Sequence, residues 1–120
     1  MAQILVVDDS ASMRNMVTAT LQSAGHDVKD AGDGQAALDI AKTGRFDAVV
    51  TDLNMPVMDG IELVKNLRTL TSYKYTPILM LTTESAGDKK SLGKTAGATG
   101  WLVKPFNPEK LLATIDRVLG

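Results

Sequence analysis

Ile4-Leu5-Val6-Val7, Ala48-Val49-Val50 and Ile78-Leu79-Met80-Leu81 are unbroken apolar runs of strand length. A strand with one wet face alternates apolar and polar residues. A run without alternation must be buried on both faces, which is the signature of a parallel sheet covered by helices. A shorter run at Trp101–Val103 and a weak one near Val28 bring the candidate strands to five. Helical periodicity fills the intervals between them. Met13, Met16, Val17, Leu21 and Ala24 follow the i, i+3, i+4 rule, and Gly25 closes that helix. Ala37, Ile40 and Ala41 repeat the pattern between a cap at Asp33 and a stop at Gly44. Ile61, Val64 and Leu67 follow Asp59, with Glu62 three residues on as in a capping box. Leu111, Leu112, Ile115, Val118 and Leu119 follow Asn107 as cap and Pro108 at the first helical position. A fourth helical segment near 86–96 has the weakest pattern, because Gly87 and Gly93 each cost it about 1 kcal/mol relative to alanine. Strand and helix thus alternate five times, with no internal repeat, low-complexity tract or linker. The expectation is an α/β fold and a single domain over residues 1–120, without an attached output domain.

A chain of 120 residues can bury about two-thirds of its unfolded surface in one core. Thirteen basic and fourteen acidic residues leave a net charge of −1, so there is no electrostatic case for nucleic acid or for an anionic membrane surface. The absence of cysteine excludes disulfides, thiol catalysis and thiolate metal sites. The first apolar run is too short for a signal-peptide core or a membrane span and ends in two acids. A soluble, cytoplasmic protein is expected.

In an open parallel sheet, ligands bind beyond the carboxyl ends of the strands. The first strand runs into Asp8-Asp9, the third into Asp52, the fourth into Thr82-Thr83 and the fifth into Lys104-Pro105. Singly, each of these is an ordinary cap, turn or surface residue. Jointly they would gather three carboxylates, a hydroxyl pair and an ammonium on one rim. Crowded carboxylates repel, and protonation or a cation relieves them. Hard oxygen ligands with room for water suit Mg²⁺. Such an ion can hold a phosphoryl group, with Lys104 as a point charge and Thr82 as a hydroxyl donor. A carboxylate can itself act as the nucleophile and form an acyl phosphate. Competing phosphate chemistries lack their motifs. There is no GxxxxGK[ST] and no GxGxxG after a strand. The haloacid-dehalogenase phosphatases need a second acid two residues after the nucleophile, where Asn54 stands. The sole histidine, His26, lies behind the Gly25 stop, is expected to be exposed, and completes no triad.

At VVDDS, TDLNMPVMDG, LTTE and AGATGWLVKPF the sequence resembles the receiver domains of two-component signalling, most closely the single-domain chemotaxis regulators. The resemblance covers the whole chain. It implies a flavodoxin-like (βα)5 doubly wound sandwich with strand order 2-1-3-4-5. It implies Asp52 as phosphoacceptor, taking its phosphoryl group from a phosphohistidine on a sensor kinase. Asp9, Asp52 and the backbone carbonyl of Asn54 would bind Mg²⁺ directly, and Asp8 through water. Thr82, Lys104 and the backbone N–H of Thr83 would hold the phosphoryl oxygens, and the Lys104–Pro105 peptide would be cis. Asn54 and Glu84 occupy the positions that tune hydrolysis in relatives, and their polar side chains predict self-dephosphorylation within seconds to minutes. Thr82 and Trp101 would form the switch.

Relatives usually carry tyrosine or phenylalanine where Trp101 stands. The larger indole leaves three readings open: an incomplete inward turn, an outward contact for the target, or a half-buried packing residue. The implied action is docking on a target, such as the flagellar motor switch, through the face of the fourth helix, fifth strand and last helix. A monomer is expected, and a separate phosphatase is compatible with it. A phosphorelay intermediate or phosphate sink is the alternative, and a slow hydrolysis rate would mark it. A phosphoester-hydrolysing enzyme is disfavoured by the missing second acid.

Overall fold

The computed structural model describes residues 2–82, 97–103 and 107–119, with the side chain of Thr82 excepted. Five parallel strands, β1 (Gln3–Val7), β2 (Asp27–Ala31), β3 (Ala48–Thr51), β4 (Ile78–Thr82) and β5 (Gly100–Val103), form one sheet in the order β2-β1-β3-β4-β5. This is the expected order. The described helices are α1 (Ala11–Ser23), α2 (Gly34–Thr43), α3 (Gly60–Thr69) and the C-terminal α4 (Pro108–Leu119). The helix expected near 86–96 lies outside the described residues.

Both faces of the central strands are buried, as the unbroken apolar runs require. Leu5, Val7, Val49, Ile78 and Met80 pack with α2 and α3, whereas Ile4, Val6, Val50, Leu79 and Leu81 pack with α1 and α4. Successive residues along each strand therefore feed opposite cores. The weak strand near Val28 is a full five-residue strand, paired with β1 from Gln3↔Asp27 to Val7↔Ala31. Its Asp27, Lys29 and Asp30 are exposed, which suits a sheet edge that must not recruit another strand.

The helix ends follow the local sequence. Asp33 and Asp59 accept from the N–H groups of Ala36 (2.7 Å) and Glu62 (2.8 Å) as N-caps. Asn107 accepts from Glu109 and Lys110 ahead of α4. Gly25 takes φ 91°, the left-handed geometry that ends a helix at little steric cost. Gly44 stops α2 differently. Its backbone is extended, and a Cβ there would lie 3.2 Å from the Phe46 ring. His26 departs from expectation: it is half-buried, because its Nδ1 accepts the Ala2 N–H at 3.2 Å and ties the start of β1 to the entry of β2.

Two tertiary devices were not visible in the sequence. A short 3-10 helix, Thr71–Tyr73, follows α3 and buries Tyr73, whose hydroxyl lies 2.7 Å from the Ala41 carbonyl and 3.0 Å from that of Gly44. Arg68, in the last turn of α3, donates to the carbonyls of Tyr73 (2.7 Å), Thr76 (2.6 Å) and Gly97 (2.7 Å). One guanidinium thereby holds the entries of both β4 and β5. Burial lowers its pKa, and the convergent carbonyls oppose that effect by favouring the charged form.

Candidate functional site

The carboxyl ends of β1 and β3 are neighbours because those strands pair from Ile4↔Ala48 to Val7↔Thr51. The residues that follow, Asp8 and Asp52, are carried onward by the same ladders. The Asp8 N–H donates to Ala31 O (3.2 Å), and the Asp52 N–H to Val7 O (2.8 Å). Both side chains are nearly sealed from water, Asp8 at 2% exposure and Asp52 at 7%, while Asp9 is exposed. One carboxylate oxygen from each of the three lies within 4.8 Å of the others.

Backbone amides hold the two buried acids in place. Asp8 Oδ1 accepts the Ser10 N–H at 2.9 Å, and Ser10 Oγ in turn accepts the Met13 N–H at 3.3 Å as the N-cap of α1. Arg14 returns from the first turn of that helix to donate to the Asp8 carbonyl (2.7 Å) and to pair with Asp30 (3.0 Å). Asp52 Oδ1 accepts the Leu53 N–H at 2.9 Å, and the Asp52 carbonyl accepts the Thr51 hydroxyl at 3.0 Å. Gly60 opens α3 directly against this strand end, donating to Leu53 O at 2.7 Å. A Cβ at Gly60 would overlap the Asp52 carbonyl oxygen, so this close approach requires glycine. Between them, Val57 is 92% exposed and takes φ 70°, an unusual geometry for a β-branched residue.

Carboxylates this close together repel when ionised, and less so where exposed Asp9 is one of the pair. A divalent cation converts that repulsion into attraction, and an all-oxygen donor set fits a hard ion. The residues present therefore fit Mg²⁺.

The family model for the response regulator receiver domain matches residues 4–116. This chain belongs to the response regulator receiver family. The receiver domain is 41% identical over 117 residues to the chemotaxis protein CheY-3 of Vibrio cholerae, covering 97% of this chain and 90% of that protein. Its fold superposes on the Vibrio cholerae chemotaxis protein CheY4 with a TM-score of 0.95, at 59% identity and 98% coverage of both chains. The receiver domain of the sensor histidine kinase PA1611 from Pseudomonas aeruginosa, determined with a magnesium ion in its active-site cleft, superposes with a TM-score of 0.92 at 29% identity, covering 99% of this chain and 98% of that one. The chain is thus a receiver module of two-component signalling.

Of the residues singled out in the sequence, the receiver fold brings Asp8, Asp9 and Asp52 together. Asn54 is exposed in the loop two residues on. The last residue of β4, Thr82, pairs with Val103 of β5, so its backbone belongs to the same end of the sheet. Trp101 pairs with Met80 and is half-buried against the core shared with α2 and α3. The side chain of Thr82, together with Thr83, Glu84, Lys104, Pro105 and the peptide between the last two, lies outside the described residues. Sequence reasoning missed Ser10, Arg14 and Gly60 as supports of the acids. The serine directly after Asp8-Asp9 was a legible cap signal. The close approach at Gly60 was not legible, because it depends on where α3 packs.

Proposed function

We propose that this receiver domain is a phosphorylation-activated switch in which the Asp52 carboxylate attacks the phosphorus of a kinase phosphohistidine. A P–O bond forms as the P–N bond breaks, and the imidazole leaves. The observation that carries this reading is the convergence of two buried carboxylates and a third, exposed one at the strand ends. Asp9, Asp52 and the Asn54 carbonyl would hold Mg²⁺, with Asp8 acting through water; the magnesium in the related PA1611 cleft supports that choice of ion. Bound there, Mg²⁺ supplies charge neutralisation for the phosphoryl oxygens. The Leu53 and Ser10 amides keep Asp52 and Asp8 oriented, so little rearrangement precedes transfer. Lys104, Thr82 and the Thr83 N–H would take the phosphoryl oxygens on the other side. Asn54 and Glu84 would orient the attacking water that ends the signal, and Thr82 with Trp101 would pass the change to the face of β5 and α4.

The near-full-length similarity to CheY-3 and CheY4 favours a cytoplasmic chemotaxis role, with the flagellar motor switch as target. A relay carrier would use the same acids and differ by holding its phosphoryl group for hours instead of minutes. The test uses Trp101, the only tryptophan, as reporter. Acetyl phosphate should change its fluorescence in Mg²⁺ but not in EDTA, and a shifted band should appear on a phosphate-affinity gel. Asp52→Asn should abolish both. No phosphoprotein under these conditions would mean that the acids are structural.

A further inference from the structure

The end of the sheet opposite the acid cluster carries a feature that phosphotransfer does not use. Where the chain enters β3 and β4, two grooves of about 410 and 450 Å³ share Arg45, Thr71, Ser72 and Tyr73, and so run together as one trough. Its floor is fixed. Tyr73 is 2% exposed, with its hydroxyl on the α2 carbonyls. The carbonyls of Tyr73, Lys74 and Thr76 accept from Arg68, and that of Ser72 lies 3.4 Å from the Thr76 hydroxyl, which fixes the backbone of the segment.

The walls are cationic. Lys42 and Arg45 are exposed, and among the described residues neither makes an ion pair. Lys74 sits 5.6 Å from the centre of the Tyr75 ring, which is 86% exposed. The one carboxylate lining the trough among the described residues, Asp47, accepts the Gln3 N–H at 2.8 Å. An excess of cations over the single carboxylate, with an exposed tyrosine beside a fixed floor, matches the make-up of a docking site for an acidic chain, since Tyr and Arg are enriched among the side chains that carry interface energy. The overall charge of −1 makes this patch a local departure and not a reflection of a basic protein.

We propose that this trough docks an acidic, extended segment of a partner protein, with carboxylates against Lys42 and Arg45 and an apolar side chain across Tyr75. Because it stands at the far end of the strands from Asp52, docking is independent of phosphorylation and leaves the acid site accessible. The receiver could then be tethered while it cycles.

The test titrates a short Glu-rich peptide with a central leucine into the ¹⁵N-labelled full chain. Its Lys-for-Glu counterpart and a single-stranded RNA of equal charge serve as comparisons. Saturable amide shifts confined to 42–47 and 71–76, weakened by salt and absent with the Lys peptide, are expected. Arg45→Glu should weaken the affinity roughly tenfold and Tyr75→Ala severalfold. Both should leave the urea midpoint unchanged, since the side chains are exposed, and Asp52→Asn should bind as the parent does. Shifts scattered over the surface, equal shifts from the RNA, or full binding by Arg45→Glu would each overturn the proposal.

Discussion

Gly60→Ala is the substitution through which fold and site are most tightly linked. The added methyl would overlap the Asp52 carbonyl oxygen, and would stand 3.0 Å from Leu53 Cα and 2.9 Å from Met80 Cε. The methionine end can swing aside, but the two backbone contacts cannot. Relief requires α3 to retreat by roughly an ångström, which also stretches the 2.7 Å bond from Gly60 N–H to Leu53 O. Overpacking of this kind costs about 1 to 3 kcal/mol, and the weakened hydrogen bond about 1 more. The sum of about 2 to 4 kcal/mol corresponds to a fall of about 1 to 2 M in the urea midpoint. Gly32→Ala is the control. Its Cβ meets Arg14 Nη1 at an ordinary 3.4 Å, and its loss should stay within about 0.5 kcal/mol. The same retreat drags on Asp52 and Leu53, so phosphorylation by acetyl phosphate should slow by up to about a hundredfold under conditions where Gly60→Ala is still folded. Equal urea midpoints for the two variants would refute the claim that glycine is required by this contact.

Three further outcomes follow from particular contacts. Burial raises the Tyr73 phenol above its ordinary 10.0; unfolded chains release that proton near 10.0 while the folded chain keeps it, so its contribution is whole below pH 10.0 and is lost as pH rises through the folded value. Tyr73→Phe should lower stability by about 1 kcal/mol at neutral pH and flatten the decline in urea midpoint between about pH 9 and pH 11. Val57→Asn should stabilise by roughly 1 kcal/mol, because asparagine tolerates the φ of 70° that valine resists, and a lower urea midpoint would contradict it. Arg68→Met strands the carbonyls of Tyr73, Thr76 and Gly97, with an expected loss of roughly 3 kcal/mol or more and a loosened Trp101 environment visible in its emission spectrum.

The layered fold was legible because hydrophobic burial leaves its period in the sequence. Ile4–Val7, Ala48–Val50 and Ile78–Leu81 could not be one-sided strands, and the caps at Asp33, Asp59 and Asn107 mark real helix starts because a cap is a contact over two or three residues. Edge strand β2 was faint for the complementary reason: its Asp27, Lys29 and Asp30 face water, so burial hardly shapes it. The acidic site was legible for a topological reason. Parallel strands all end on the same side, so acids placed just after separate strands must approach one another wherever those strands are neighbours.

What the sequence by itself determined, then, is the set of interactions that are local or periodic: the strands, the capped helices and the acids at the strand ends. The tertiary structure alone decided the interactions between residues far apart in the chain. Arg68 finds Gly97 across 29 positions, and Tyr73 reaches Ala41 across 32. Gly60 meets the Asp52 carbonyl, and Arg45 lines one groove with Tyr75 only because the entries of β3 and β4 adjoin. No spacing rule encodes such pairs. Their partners are chosen by how helices seat on a twisted sheet, and that seating is set by close packing of the whole core.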